Sequence, residues 1–355
     1  MASPSNPTVQ EPDPAGAAPA AGGSPLFSIV IPVHDGGTDF MRCLDALGRL
    51  ADAPTTEILV VDDASTDGSG ERAASRGLRV TRLPVRTGPA AARNAGARQA
   101  QGDFLFFLDA DCEIHPDALC RAADLLAADA GLDALFGSYD DRPAAPGAVS
   151  RFKNLYHHWT HQRGDESART FWAGCGAVRR ERFLALGGFD ERRYAEPSIE
   201  DIELGYRLTE AGGRIRLARE VQAKHLKRWT LGSLVRTDVW RRGVPWTELL
   251  HERPGRGGEL NLGVRERLVV LLGAVVAAAA VGGFLLPAAW IVAVAAAALL
   301  VLSSWSLYAL ILRRGGAGAS LAALPLHVLY CCCCCVAYAI GTARAVAARP
   351  REAHG

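Results

Sequence analysis

Phe104-Leu-Phe-Phe-Leu-Asp-Ala-Asp111 is the stretch on which the fold class turns. A run of large apolar residues follows Gly102 and ends in two carboxylates one residue apart. Apolar residues without alternation predict a strand buried on both faces, as in a parallel sheet covered by helices. Nothing inside such a core solvates Asp109 and Asp111, so the strand must end at the sheet's C-terminal edge, where ligands bind in open α/β folds. Two acidic side chains at this spacing suit a hard cation, Mg²⁺ or Mn²⁺, that completes its shell with water and substrate phosphates. Taken alone, Asp-x-Asp is equally the polar turn after a strand. Its surroundings give it chemical meaning.

Upstream, Phe27-Ser-Ile-Val-Ile-Pro-Val33 predicts a first strand, and Phe40, Cys43, Leu44, Leu47 and Leu50 recur after it at helical spacing. Glu57-Ile-Leu-Val-Val-Asp-Asp63 is a second buried strand ending in acids, followed by Ala64-Ser-Thr-Asp-Gly-Ser69, which is turn and N-cap chemistry. Leu78 to Leu83 predicts a shorter strand, Pro89 to Gln101 an Ala-rich helix, and Pro116 to Asp129 another helix. Strand and helix alternate, so the expected fold is α/β, a mostly parallel sheet with helices on both faces. Right-handed crossovers bring the two acid-tipped strand ends to one edge. That edge is the candidate site.

Beyond Asp141 the pattern loosens. Val149 to Gln162 predicts a helix, with Leu155, His158, Trp159 and Gln162 on one face. Trp172-Ala-Gly-Cys-Gly-Ala177 reads as backbone that a ligand approaches closely. Arg180 to Leu186 is a short helix ended by Gly187-Gly188. In a helix over Glu200 to Ala211, Asp201, Leu204, Leu208 and Ala211 share a face. Asp201 is thus a carboxylate on the apolar side of a first turn, where the helix N-terminus favours its charged, proton-accepting form. Glu203 and Arg207 read as an exposed i, i+4 pair. His157 and His161 have the spacing of metal ligands but no third ligand nearby, and read as acceptor contacts or surface.

The 355 residues suffice for one large α/β domain and something more, and a net charge of +1 argues against a dedicated nucleic-acid binder. Residues 1–25 are rich in Ala, Pro and Gly without apolar periodicity, which predicts a disordered tail that is not a signal peptide. The first domain is expected over 26–229. Residues 230–265 mix Leu231, Leu234, Val235, Val239 and Trp240 with Arg236, Arg241 and Arg242, as in an interfacial amphipathic segment. Two or three transmembrane helices are expected over 266–343, at Leu268 to Leu286, Ala288 to Leu312 and Leu321 to Thr342, before a basic tail over 344–355. Arg265, Arg267, Arg313 and Arg314 flank the first two spans, which predicts a multi-pass cell-membrane protein with its domain cytoplasmic. A third crossing would place Arg344, Arg349 and Arg351 outside, so two and three crossings both stay open. The nine cysteines show no disulfide or zinc spacing, and the run Cys331 to Cys335 is either palmitoylated or packed as small apolar side chains.

Six motifs in order carry a resemblance: Ile31-Pro-Val-His-Asp35, Val60-Val-Asp-Asp-Ala-Ser-Thr-Asp67, Ala92-Arg-Asn-Ala-Gly96, Leu108-Asp-Ala-Asp111, Gly187-Gly-Phe-Asp190 and Glu200-Asp-Ile-Glu-Leu-Gly-Tyr-Arg-Leu208. Together they resemble the family 2 glycosyltransferases of the GT-A fold, over Phe27 to Trp246. The resemblance implies an inverting transfer of sugar from a nucleotide donor, UDP- or GDP-linked, to an acceptor hydroxyl. It implies that Asp62 or Asp63 binds the nucleotide near Pro32 and Arg93, that Asp109 and Asp111 hold Mg²⁺ or Mn²⁺ on the donor diphosphate, and that Asp201 is the general base.

His225 stands where relatives place a metal or diphosphate ligand, although a single His is as readily structural. Lys224-His-Leu-Lys-Arg-Trp229 partly resembles the Gln-x-x-Arg-Trp motif of processive synthases; Arg228 and Trp229 match, and His225 replaces the Gln. That favours single transfer over the alternative of a processive polysaccharide synthase. Trp172, Gly174, Glu200, Arg228 and Trp229 are the expected acceptor side, with Trp172 either lining the pocket or anchoring its loop. The expected acceptor is a glycan or a lipid-linked molecule, and the membrane segment favours the lipid-linked one. The intact Asp109, Asp111 and Asp201 count against a non-catalytic scaffold. A nucleotidyltransferase would need a basic Gly-rich phosphate loop, where Val33-His-Asp-Gly-Gly-Thr38 stands instead.

Overall fold

A computed structural model describes residues 25–50, 53–253 and 263–348. The predicted N-terminal tail lies outside these except for Pro25, as do 254–262 of the expected interfacial segment and 349–355 of the basic tail.

The first half of the domain follows the sequence pattern closely. β1 (Phe27–Val33), α1 (Gly37–Leu47), β2 (Thr56–Asp62), α2 (Ser69–Ala74), β3 (Arg79–Arg82), α3 (Pro89–Gln99) and β4 (Phe104–Leu108) alternate as expected. β1 is buried along its whole length and pairs in parallel with β2 and β4, so that Val33 meets Asp62 and Phe27 meets Phe104. α3 lies close on this sheet because it carries small residues. A Cβ on Gly96 would sit 2.5 Å from Val30. Phe27, Phe106 and Phe107 are fully buried, and each such ring stabilises the core by roughly 2–3 kcal/mol.

The second half is mixed rather than parallel. β5 (Cys112–Ile114), α4 (Ala118–Ala128), β6 (Ala134–Tyr139), α5 (Ala148–Arg163), β7 (Ser167–Ala168), β8 (Cys175–Arg179), α6 (Arg180–Ala185), α7 (Glu200–Glu210) and β9 (Ile215–His225) complete the domain. The sheet order is β3-β2-β1-β4-β8-β6-β9-β5, with β7 on β9. β8 runs antiparallel between β4 and β6, and β5 antiparallel to β9. Part of the stretch read as ligand-facing backbone, Cys175 to Ala177, is therefore a central strand. Its small residues leave room for Phe171, whose ring edge meets Phe107 at 6.4 Å.

After β9 come α8 (Leu231–Val235), a π-helical segment (Arg236–Gly243) and α9 (Val244–Glu252). Part of their apolar surface is packed within the protein, while Leu231 and Trp240 stay exposed. Val239 and Val244 pack on Cys333 and Ala337, and Asp238 is buried against Lys153 at 2.5 Å.

The apolar region also departs from the expected spans. It comprises α10 (Val264–Gly282), α11 (Ala289–Ser303), α12 (Trp305–Arg314) and α13 (Gly316–Ala348). Only α13, at 33 residues, is by itself long and apolar enough to cross a membrane among the described helices. The expected second span is broken at Ser304 into α11 and α12, which meet at 77°. α13 packs along α5: Phe152, Leu155 and Tyr156 share a core with Leu326, Tyr330 and Cys331. Cys331 also sits 2.5 Å from the place a Gly273 Cβ would occupy, so part of the cysteine run serves as close helix packing.

Candidate active site

The C-terminal ends of β1, β2 and β4 open into a cleft of about 500 Å³, closed on its other side by α5, α7, the end of β9 and the π-helical segment. Pro32 and Asp63 line one end. Asp63 accepts hydrogen bonds from Thr87 N–H (2.7 Å), Thr87 Oγ1 (2.9 Å) and Gly88 N–H (2.8 Å). It thereby fixes the loop before α3. Gly88 is required there, because its φ is +90° and a Cβ would fall 1.9 Å from the Ala195 carbonyl oxygen. Asp62 corrects the expectation that left the two acids equivalent: it is fully buried, lies outside the cleft lining, and accepts from Ser65 N–H at 2.8 Å.

Arg93 of α3 is buried between two carboxylates, with Asp109 Oδ1 at 2.6 Å and Glu200 Oε1 at 2.9 Å. Burial raises the Asp109 carboxyl, and the Arg93 guanidinium opposes that rise. Burial also works against charge on Asp111, but His225 and Lys227 outweigh it and hold that carboxyl down at about 2. The two acids of the motif therefore differ: one is committed to an arginine, the other is a strongly ionised group facing an imidazole.

His225 is set by a chain of contacts that the sequence conceals. Its ring stacks on Tyr139 with centroids 4.2 Å apart. Its Nδ1 lies 2.8 Å from Asn154 Oδ1, which also accepts from Trp229 Nε1–H at 3.1 Å. An indole N–H only donates, so the Asn154 atom it meets is oxygen, and His225 Nδ1 must carry a proton to bond the same atom. This leaves His225 Nε2 turned toward Asp111 Oδ2 at 3.6 Å. An imidazole nitrogen and a carboxylate that face one another are an arrangement that a cation satisfies. Among the described residues no group of three or more His, Cys, Asp or Glu forms a preassembled metal cage. Asp109, Asp111 and His225 are the donors that the cleft offers, and a hard ion completes such a partial set with phosphate oxygens.

Asp201 stands in the first turn of α7 across the cleft lining from these groups. Its Oδ2 accepts from Ala173 N–H at 3.1 Å and its Oδ1 from Ile202 N–H at 2.8 Å. Burial, then the charge of Glu200, lifts the carboxyl from 3.8 to about 6, against the pull of Arg242, Ala173 N–H and Arg93. It remains mostly ionised at neutral pH and sits where a general base works well. Glu203, expected to be exposed, is buried: it binds Arg207 at 2.8 Å, which caps the carbonyls of Leu186 and Gly188, both at 2.7 Å. That pair pins the Gly187-Gly188 turn.

Trp172 both lines the cleft and anchors its loop. Its ring meets Tyr139 edge-on at 4.6 Å, and a Cβ on Gly174 would strike it at 2.5 Å. His157 and His161 belong to the cleft wall rather than to plain surface. Burial depresses both, His161 to about 3, so each is a neutral ring. Trp229 is buried and lines the cleft, whereas Arg228 is exposed and does not, which corrects its place among the acceptor contacts. Sequence reasoning missed Asn154, Tyr139, Lys227 and Arg242. One signal was readable: Ser150, Asn154, His157 and His161 form a polar stripe on α5 at i, i+4, i+7 and i+11.

The model of "Glycosyl transferase family 2" matches residues 28–186. Glycosyltransferase AglE of Haloferax volcanii is 32% identical over 122 residues, 33% of this chain and 40% of AglE. Validoxylamine A glucosyltransferase of Streptomyces hygroscopicus subsp. limoneus is 30% identical over 241 residues, 57% of this chain and 52% of that protein. The chain thus spans about half or less of the length of these curated relatives. The mannosyltransferase PcManGT from Pyrobaculum calidifontis, solved with GDP-Man and Mn²⁺, superposes over 93% of this chain and 90% of its own, with a TM-score of 0.57 at 20% identity. The cleft therefore belongs to a GT-A fold, and residues 28–186 of the chain carry the match to the glycosyl transferase family 2 model.

Proposed function

We propose that this protein is an inverting glycosyltransferase that moves a sugar from a nucleoside diphosphate donor to the hydroxyl of a lipid-linked acceptor at a membrane surface. The observation that carries the reading is Asp201, a carboxyl raised to about 6 in the same cleft as Asp109, Asp111 and His225. The acceptor oxygen attacks the anomeric carbon, Asp201 takes the hydroxyl proton, and the bond to the diphosphate breaks on the opposite face with its electron pair leaving on the nucleotide. Attack opposite the leaving group inverts the anomeric configuration. Asp63 and Pro32 sit at the nucleotide end, and Arg93 holds Asp109 and Glu200 in place. Asp111 and His225, with Asp109, are the residues for Mg²⁺ or Mn²⁺, which when bound neutralises charge growing on the leaving diphosphate. The GDP-Man and Mn²⁺ of the mannosyltransferase make that pair the first donor and metal to try, with UDP-sugars next.

The apolar helices supply the membrane part of the reading. α10, α11 and the turn between them expose Leu268, Leu271, Phe284, Leu285, Ile291 and Val294, a surface suited to lipid. Arg314, at the end of α12, pairs with Asp141 of the domain at 2.7 Å, which supports a shared, cytosolic side for the domain and this flank. The protein in detergent should release nucleotide from a GDP- or UDP-sugar when Mn²⁺ or Mg²⁺ and a membrane extract are supplied. No release from any donor would sink the proposal.

A further inference from the structure

Arg242 is the cation in the cleft that the chemistry above leaves unused. It lines the cleft, partly buried, and among the described residues it makes no hydrogen bond or ion pair. Its charge bears on Asp201, His157 and His161, while the lysine whose charge bears on Asp111 is Lys227. Arg242 therefore faces the base and the neutral imidazoles, on the acceptor side. Arg241 also lines the cleft, with only a long contact of 3.8 Å to Glu196, whose other neighbour is Arg86 at 3.9 Å.

The segment that carries these arginines rests directly on α13. A Cβ on Gly243 would lie 2.5 Å from the Ala337 Cβ, and the Trp240 ring next to them is half exposed beneath the Arg344 guanidinium at 5.7 Å. An unpaired guanidinium beside a second one is suited to phosphate, which accepts several charge-assisted hydrogen bonds at once. Here that charge stands between the proton acceptor and an apolar helix long enough to cross a membrane.

We propose that Arg242, with Arg241 beside it, binds the phosphate or diphosphate headgroup of a lipid carrier, holding the attached sugar's hydroxyl toward Asp201. The inference rests on the glycosyltransferase reading of the cleft. It gives the acceptor a chemical class: an anionic headgroup on an apolar tail that follows α13.

The test uses the full chain in detergent, saturated with the nucleoside diphosphate and Mn²⁺ that stabilise it, so that the donor end is filled. Farnesyl diphosphate is then titrated against wild type, Arg242→Lys and Arg242→Met, reading the melting point. The expected result is stabilisation of wild type, with half-saturation at least about tenfold higher in Arg242→Met and intermediate in Arg242→Lys. All three should keep the nucleotide response, which shows that they fold. Equal farnesyl diphosphate affinity in Arg242→Met overturns the proposal. Loss of the nucleotide response in that variant also overturns it, by assigning Arg242 to the donor. Inorganic pyrophosphate binding as tightly as farnesyl diphosphate would mean a free anion rather than a lipid. A wild type that ignores every nucleotide strikes the glycosyltransferase reading instead.

Discussion

In Asp201→Asn the side chain keeps an oxygen for the Ala173 N–H, gives up the bond from the Ile202 N–H, and loses the charge that burial and Glu200 oppose. Burial holds the carboxyl at about 6 instead of 3.8, and at about 1.4 kcal/mol per pH unit this makes the ionised form cost the fold about 3 kcal/mol. The sign follows from linkage. A carboxyl raised in the folded state gives its full stability below pH 3.8 and loses it as pH rises through about 6. Below pH 4 the two should therefore differ only by the lost Ile202 bond, about 1–3 kcal/mol against the variant. Between pH 4 and 6 the variant should gain on wild type and then keep a plateau, the gain read as several degrees in melting point for a chain of this size. The assay is thermal unfolding in detergent with EDTA, across pH 4 to 8, beside nucleotide release at pH 7.5. Release should fall by about 10²- to 10⁴-fold, the worth of a general base, while the metal–nucleotide stabilisation remains. A stability difference between variant and wild type that does not change from pH 4 to 8 would refute the assignment of a base charged against its burial.

In wild type, kcat/KM should rise with pH through about 6 as Asp201 loses its proton, and a flat profile from pH 5 to 7 would argue for another base. Asn154→Ala removes the oxygen that fixes His225 and should weaken Mn²⁺ binding by about 10- to 100-fold, measured by the free-Mn²⁺ resonance signal. Unchanged Mn²⁺ affinity would remove His225 from the metal site. Lys153→Met strands the buried Asp238 and should cost about 3–5 kcal/mol, whereas Lys153→Met with Asp238→Leu should recover most of it in the same denaturation assay.

The strands were legible where the sheet is buried on both faces, since β1, β2 and β4 need continuous apolar residues and have them. β8 was not, because Cys175-Gly-Ala-Val-Arg179 is small for reasons set by its neighbours: Gly176 has the Trp172 carbonyl oxygen 2.5 Å from where a Cβ would stand. Asp62 and Asp63 show a second limit. Successive residues at a strand end point to opposite sides, so which carboxylate enters the cleft depends on the phase of the pleat, which composition does not reveal. Asp201 could be found because helical periodicity is local. The joining of Trp229 to Asn154 spans 75 residues and exists only once β9 and α5 are packed together.

α5 has one more consequence, for anyone who wishes to work with the soluble part alone. One side of this helix carries His157 and His161 into the cleft and sets Asn154 against His225; another carries Phe152, Leu155 and Tyr156 into a core shared with α12 and α13. The change of composition near residue 264 therefore looks like a place to cut, yet it is not a seam in the packing. Excising the apolar helices would uncover those three side chains, strip Tyr330 from beside Lys153, and loosen the helix that seats the imidazole. Preparations of the domain free of its apolar helices should aggregate or lose metal affinity, and solubility would be won at the expense of the site itself.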